Sequence, residues 1–235
     1  MTTAGMADAD RLLYLLQVAS STFPTGAFAH SLGFETLVAD DEIADADALA
    51  TVCELWLRFS LGPLDGVAAA RAHEAAAGDD LDALAEIDEV LGALKLPRES
   101  AEASITTGTA FLRAVESAFG GRHLRAYRGA IASGAGESHA ATAFGVAAAD
   151  AGIPVEQAVL AFLQSSFANL VGVVGRLVPL GQLDVQRVLA GARTSIASAA
   201  SAATATRLED ASSAAAFLDI ASMRHERLYT RLCIS

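Results

Sequence analysis

Apolar residues recur every three to four positions along most of the chain, the spacing of helices that turn one face inward. Leu12, Leu15, Leu16 and Ala19 share such a face in a first helix opened by Asp8 or Asp10, and residues 1–7 read as a frayed end. Pro24 and Gly26 break the pattern. A helix capped by Asp45 or Asp47 then carries Leu49, Val52, Cys53, Trp56 and Phe59 in register, and Gly62-Pro63 is expected to end it. Further helices are predicted near 64–77 with Asp65 as N-cap, from Asp79 with Leu84, Ile87, Leu91 and Leu94 inward, and after Pro97 with Ile105, Thr109, Leu112, Val115 and Phe119 inward. Gly120-Gly121 stops that last one, and shorter helices follow at 122–132 and about 138–151.

The segment from Pro154 to about Arg176 is apolar all round. Leu160, Leu163, Phe167, Leu170, Val174 and Leu177 form a bulky stripe; Ala158, Ala161, Ser165, Ala168, Gly172 and Gly175 form a small one opposite. Such a helix lies in the core of a large domain or in a membrane. A span needs about 20 predominantly apolar residues. Gln164, Ser165, Ser166 and Asn169 interrupt this one at its centre, so it reads as the buried central helix of a soluble bundle. The small stripe lets a neighbouring backbone approach closely, within the fold or across a dimer. Pro179 and Gly181 mark a turn. A long Ala/Ser-rich helix at 183–207 follows, with Val185, Val188, Leu189, Ala192 and Ile196 inward, and Asp210 or Ser212 opens a last one. No alternating strand pattern, tandem repeat or linker interrupts this. The expectation is all-α: one domain over residues 1–235, a bundle of roughly ten helices around the central helix at 154–176, with an irregular, flexible tail at 226–235.

Composition agrees, with 53% hydrophobic and only 6% aromatic residues in 235. The net charge of -12 argues against a nucleic-acid or anionic-membrane surface. The acid is concentrated: residues 1–102 carry 19 Asp/Glu against 5 Lys/Arg, and residues 103–235 carry 9 against 11. That asymmetry orients the molecule on a partner, or simply keeps one half soluble.

Several chemistries are missing. Lys95 is the single lysine and Leu96 follows it, so no GK[ST] phosphate loop exists; GxGxxG and GxSxG are also absent. Cys53 and Cys233 make no CxxC pair. The opening residues lack a basic stretch, and Gln17 breaks their apolar run. A reducing cytoplasm is the expected compartment. His30, His73, His123, His139 and His225 show no HxH or HxxxH spacing, so no local metal clamp is visible, although imidazole and carboxylate would suit a transient Ni²⁺ contact. Arginines are 15 of the 16 basic residues. Arg224, Arg227 and Arg231 gather beside Tyr229, the residue types of interface anchors. This tail either orders on a partner or docks on its own domain.

Three segments together resemble the UreF-type urease accessory proteins. LLQVASSTFPTGAFAHSLGFE, residues 15–35, is similar to that family's P-x-G-x-F-x-x-S-x-G-x-E loop through Pro24, Gly26, Phe28, Ser31, Gly33 and Glu35, with His30 where an aromatic is common. NLVGVVGRLVPLGQLDVQRVL, residues 169–189, holds a turn similar to the family's in Arg176, Pro179, Leu180, Gly181 and Gln182. SMRHERLYTRLCIS, residues 222–235, resembles the family ending M-R-H-E-x-x-Y/P-x-R-L. The final CIS departs from that ending, and Gly108 is not followed by the family's further basic residues.

The resemblance implies an all-α, dimerising, non-enzymatic chaperone component. Its implied partners are the accessory scaffold protein (UreD, also UreH), the GTPase UreG and apo-urease. Nickel is then handled by the complex, with no cofactor held stably by this chain and no catalytic residue. Arg224, His225, Glu226, Tyr229 and Arg231 are implied to face the scaffold. The loop from Pro24 to Glu35 and the turn from Arg176 to Gln182 are implied to set surfaces near the dimer or the GTPase, or to be conformational requirements of turns. The rival reading is a stand-alone helical enzyme or small-molecule binder with a site inside the bundle.

Overall fold

Asp45 and Asp80 accept hydrogen bonds from the Ala48 and Ala83 amides, both at 2.9 Å, and so open the helices that follow them. The computed structural model describes residues 8–235; the frayed end expected at 1–7 lies outside the described residues. The chain is all-α, without a strand among the described residues. Its helices are α1 (Asp8–Val18), α2 (Phe34–Ala39), α3 (Ala46–Trp56), α4 (Val67–Ala77), α5 (Leu81–Leu94), α6 (Arg98–Ala118), α7 (Arg122–Ala132), α8 (Ala140–Asp150), α9 (Val155–Leu177), α10 (Gln182–Gly191), α11 (Arg193–Ala205) and α12 (Ala216–His225).

Alanine and glycine let these helices cross closely. Gly145 on α8 lies against α4, where a Cβ would meet Ala72 Cβ and the His73 nitrogen at 2.9 Å and the Ala69 carbonyl oxygen closer still. The core is continuous, running from Leu49, Leu57 and Leu64 through Leu84, Leu91 and Leu112 to Phe167, Val174 and Ile196. Aromatic rings join its layers: Phe111 on Phe144 at 5.4 Å, Phe144 on Phe162 at 5.5 Å, and Trp56 on Phe167 at 6.4 Å.

Four local expectations are corrected. First, α1 turns Tyr14, Leu15 and Val18 inward and leaves Leu12, Leu13 and Leu16 exposed. The Tyr14 hydroxyl reaches the Ala147 carbonyl and its ring packs on Phe119 at 4.7 Å, which sets the rotation of the helix. Second, Gly62-Pro63 does not stop the helix. The chain runs from α3 to α4 through a π-helical stretch, Leu57–Gly66. Pro63 has no N–H for the Phe59 carbonyl four residues earlier, and the Ala214 amide takes that acceptor at 2.7 Å. Asp65 is therefore no cap. It is buried, with Lys95 Nζ 2.8 Å from its carboxylate. Third, the helix expected at 183–207 is divided at Ala192 into α10 and α11. Fourth, α9 is central by position but not enclosed. Phe162, Leu163, Phe167, Leu170 and Val174 are buried, whereas Leu160, Gln164 and Arg176 are exposed and a Cβ on Gly172 would meet nothing within 4 Å. By length and hydropathy α9 is able to cross a bilayer, yet half of its most apolar window is covered by the chain's own core.

Candidate functional site

The loop before α2 is shaped by two glycines. Gly26 and Gly33 have φ +76° and +88°, the left-handed region that side chains other than glycine rarely adopt. Gly33 also sits 2.6 Å, measured from an ideal Cβ, from the Ser222 nitrogen, so α12 lies directly on this loop. The turn glycine Gly181 is different: its φ is -69°, ordinary for any residue, and its amide donates to the Asp184 side chain as α10 begins.

The three sequence segments meet here. The Ile234 amide donates to the Ala29 carbonyl at 2.8 Å, and the Ser31 amide to the backbone oxygen of Ser235. His30 Nδ1 is 2.8 Å from the Ser235 hydroxyl. Arg176, at the end of α9, donates to the Phe28 carbonyl at 2.9 Å. Residues 226–235 carry no regular helix, and of the two tail readings the docked one describes this structure.

Beneath the surface lies a buried ionic cluster. His225 is wholly buried, with Nδ1 2.7 Å from Glu99 and Nε2 2.9 Å from Glu35. The two contacts are satisfied together when both ring nitrogens carry hydrogen. Glu99 also accepts from Arg231 at 2.6 Å. Glu35 also accepts from the Leu232 and Cys233 amides at 2.6 and 2.9 Å. Burial alone pushes the Glu35 carboxyl upward, but the hydrogen bonds from His225, Leu232 and Cys233 outweigh it and hold it below the usual value of 4.5. Burial, aided by the neighbouring Glu35 carboxylate, pushes the Cys233 thiol up to about 11, so it remains a thiol at neutral pH.

The proposed site residues thus divide. His225, Glu35 and Ser31 are buried and tie segments together. Arg231 belongs to the same network. Arg224 pairs with Asp40 through two bonds, 2.7 and 3.1 Å, and Glu226 with Arg98 at 3.2 Å. Tyr229, Phe28, Leu232 and Ile234 present apolar surface to solvent, and Pro179 and Gln182 are exposed. Leu180 is half-buried against the core. Sequence reading missed Glu99, whose place in the first turn of α6 looks like an ordinary helix-start acid. It also missed Asp40. Among the described residues no group of three or more His, Cys, Asp or Glu side chains forms a metal-holding cluster.

A model of the UreF family matches residues 43–193. The chain belongs to the UreF family. A urease accessory protein UreF of Paenarthrobacter aurescens is 36% identical over 223 residues, covering 95% of this chain and 97% of that one. Those of Lachnoclostridium phytofermentans and Geobacillus kaustophilus are 34% and 32% identical, covering 95% and 96% of this chain and 98% of each relative. These relatives are named as accessory proteins rather than enzymes, and membership of the UreF family places the chain in urease maturation.

Half-buried His30 in the site, buried His139 before α8 and the buried Glu35 predict the pH response of the fold. Burial lowers the pKa of His30 against the opposing pull of Glu99, and burial together with Lys95 lowers that of His139. Both rings are neutral in the fold, so stability begins to fall as the pH drops through the ordinary value of 6.5. The Glu35 contribution is present above 4.5 and is lost as the pH falls through its lower folded value. The urea midpoint is expected to decline below 6.5 and to decline again below 4.5. A midpoint that stays level down to pH 5 contradicts the burial of these histidines.

Proposed function

We propose that this UreF-family chain is a cytoplasmic adaptor in nickel delivery to apo-urease. It forms a homodimer, grips the accessory scaffold protein UreD (also UreH) and positions the accessory GTPase UreG, whose GTP hydrolysis it regulates. Nickel is the cargo of the complex. One observation carries the reading: segments 15–35, 169–189 and 222–235, the three that resemble the family, are drawn to one end of the molecule by the contacts of Arg176, Ser31 and the buried cluster. That end is built on a rigid ionic foundation and is topped by exposed Tyr229, Leu232, Ile234 and Phe28. A few aromatic and aliphatic anchors over a firm base are what an interface needs. Regulation of the GTPase requires different affinities for its two nucleotide states.

On this reading the exposed side chains are the anchors and the buried ones their foundation. Tyr229 is fully exposed, so Tyr229→Ala is expected to leave helical content and the unfolding midpoint unchanged while weakening scaffold capture at least tenfold. Arg231→Ala is expected to lower both, because Arg231 also neutralises Glu99. A pull-down with the scaffold and the GTPase, each alone and together, reads the difference. Unchanged capture by the Tyr229 variant would move the interface away from the tail.

A further inference from the structure

The polar residues that interrupt the apolar run of α9 make none of the contacts that join the three segments. Ser166 and Asn169 instead face a half-open cavity of about 200 Å³, together with Thr107 of α6 and Asp219 of α12. None of these four side chains is held by a hydrogen bond among the described residues. The cavity walls include the rings of Trp56, Phe111, Phe144 and Phe162. An apolar cavity with a few converging polar groups is the usual form of a small-molecule site. An apolar hole of roughly 150 Å³ takes up benzene, so this one holds a ring with a short side chain.

Charge selects the ligand further. Lys95 and Asp65 both line the cavity but neutralise each other, with Nζ 2.8 and 3.0 Å from the two carboxylate oxygens. His30 also lines it, and burial favours its neutral ring. Among the described residues Asp219 is left as the lining carboxylate without an ion-pair contact. Burial raises its pKa while Lys95 pulls the other way, as expected for a carboxylate short of hydration. Aromatic faces beside a carboxylate favour a cation with an apolar body. One wall is formed by residues 211–215, the segment that leads into α12. It is held to the π-helical stretch by Ser212 N to Pro63 O at 3.2 Å, Ala214 N to Phe59 O at 2.7 Å and a Ser213–Ser60 hydroxyl contact at 3.1 Å. Ser213 and Ala215 of this segment line the cavity.

We propose that this cavity binds a small organic amine, a single ring or branched aliphatic body carrying one ammonium group, with the ammonium on Asp219 and the body among the aromatic walls. Phe28 and His30 of the loop line the same cavity, so the site adjoins the adaptor surface.

Calorimetry on the purified full chain tests it with three probes of one shape: 2-phenylethylamine, 2-phenylethanol and phenylacetate. Saturable binding of the amine, at least tenfold tighter than the alcohol, with no binding of the acid, is the expected result. Asp219→Asn is expected to erase the amine's advantage over the alcohol, and Ser166→Phe, which fills the space, to abolish binding of both. Circular dichroism checks each variant. Absence of saturable amine binding, equal affinity for amine and alcohol, preference for the acid, or an Asp219→Asn variant with unchanged amine affinity each overturns the proposal. The three-probe comparison on the unaltered chain decides it even if a variant does not fold.

Discussion

Replacing His225 by leucine is expected to lower the unfolding free energy by about 3–5 kcal/mol, although the two side chains are similar in size. The imidazole stands between Glu35 and Glu99, and its side chain is 0% exposed while theirs are 8% and 7% exposed. Leucine removes the group that both carboxylates bond and leaves two acids facing across an apolar side chain. Arg231 and the Leu232 and Cys233 amides satisfy part of each carboxylate but do not fill the gap. Breaking a buried pair by deleting one partner is costly because the survivor keeps its desolvation penalty. For a chain of this length the loss corresponds to a fall of roughly 6–20 °C in Tm. Adding Glu99→Gln to the leucine variant is expected to restore part of it by removing one orphaned charge. A Tm within 2 °C of the parent would mean that the carboxylates are not held as charged groups. The tail is tied to the same cluster, so the leucine variant is also expected to expose residues 232–235 to proteolysis.

Gly108→Ala is the second large effect, about 1–3 kcal/mol of destabilisation or more. In an unencumbered helix the same change is worth about 1 kcal/mol in the favourable direction. Gly108 is buried mid-way along α6, where the loop before α8 comes to rest. A Cβ there would lie on the Ser138 carbonyl oxygen and within 2.7 and 2.8 Å of His139 C and Ala140 N. That loop has little room to retreat, because Asp88 accepts from the amides of Glu137, Ser138 and His139 and from the Tyr127 hydroxyl at 2.6 Å. Gly129 provides the control. It lies inside α7 with nothing within 4 Å of an added Cβ, so Gly129→Ala is expected to be neutral or stabilising. Urea melts of the two variants should move in opposite directions. A Gly108→Ala chain as stable as the parent would show that α6 and this loop separate easily.

Gly108 illustrates what can be read before folding. In the sequence it is a position where expected basic residues do not follow; in the structure it is the point where backbone meets backbone. Periodicity located the helices because helix formation follows local spacing and breakers. It placed Leu84, Ile87 and Leu91 of α5 inward correctly, since the faces of short amphipathic helices are set by their own pattern, while Leu94 is only partly buried. It misjudged α1, where Leu12 and Leu16 compete with Tyr14 and Val18 for the inner face and only the position of the Ala147 carbonyl decides. It also misjudged Gly62-Pro63, because the Ala214 amide that takes the Phe59 carbonyl comes from a segment about 150 residues further on.

Residue order by itself determined the all-α class, most helix boundaries and the three family segments, because each of these rests on neighbours within a few turns. Tertiary structure decided which residues of those segments are exposed and which are buried in the ionic cluster. His225 and Glu99 are 126 positions apart and His225 and Glu35 are 190 apart. Local spacing carries no record of such pairings; burial joins four scattered polar residues into a single hydrogen-bonded cluster.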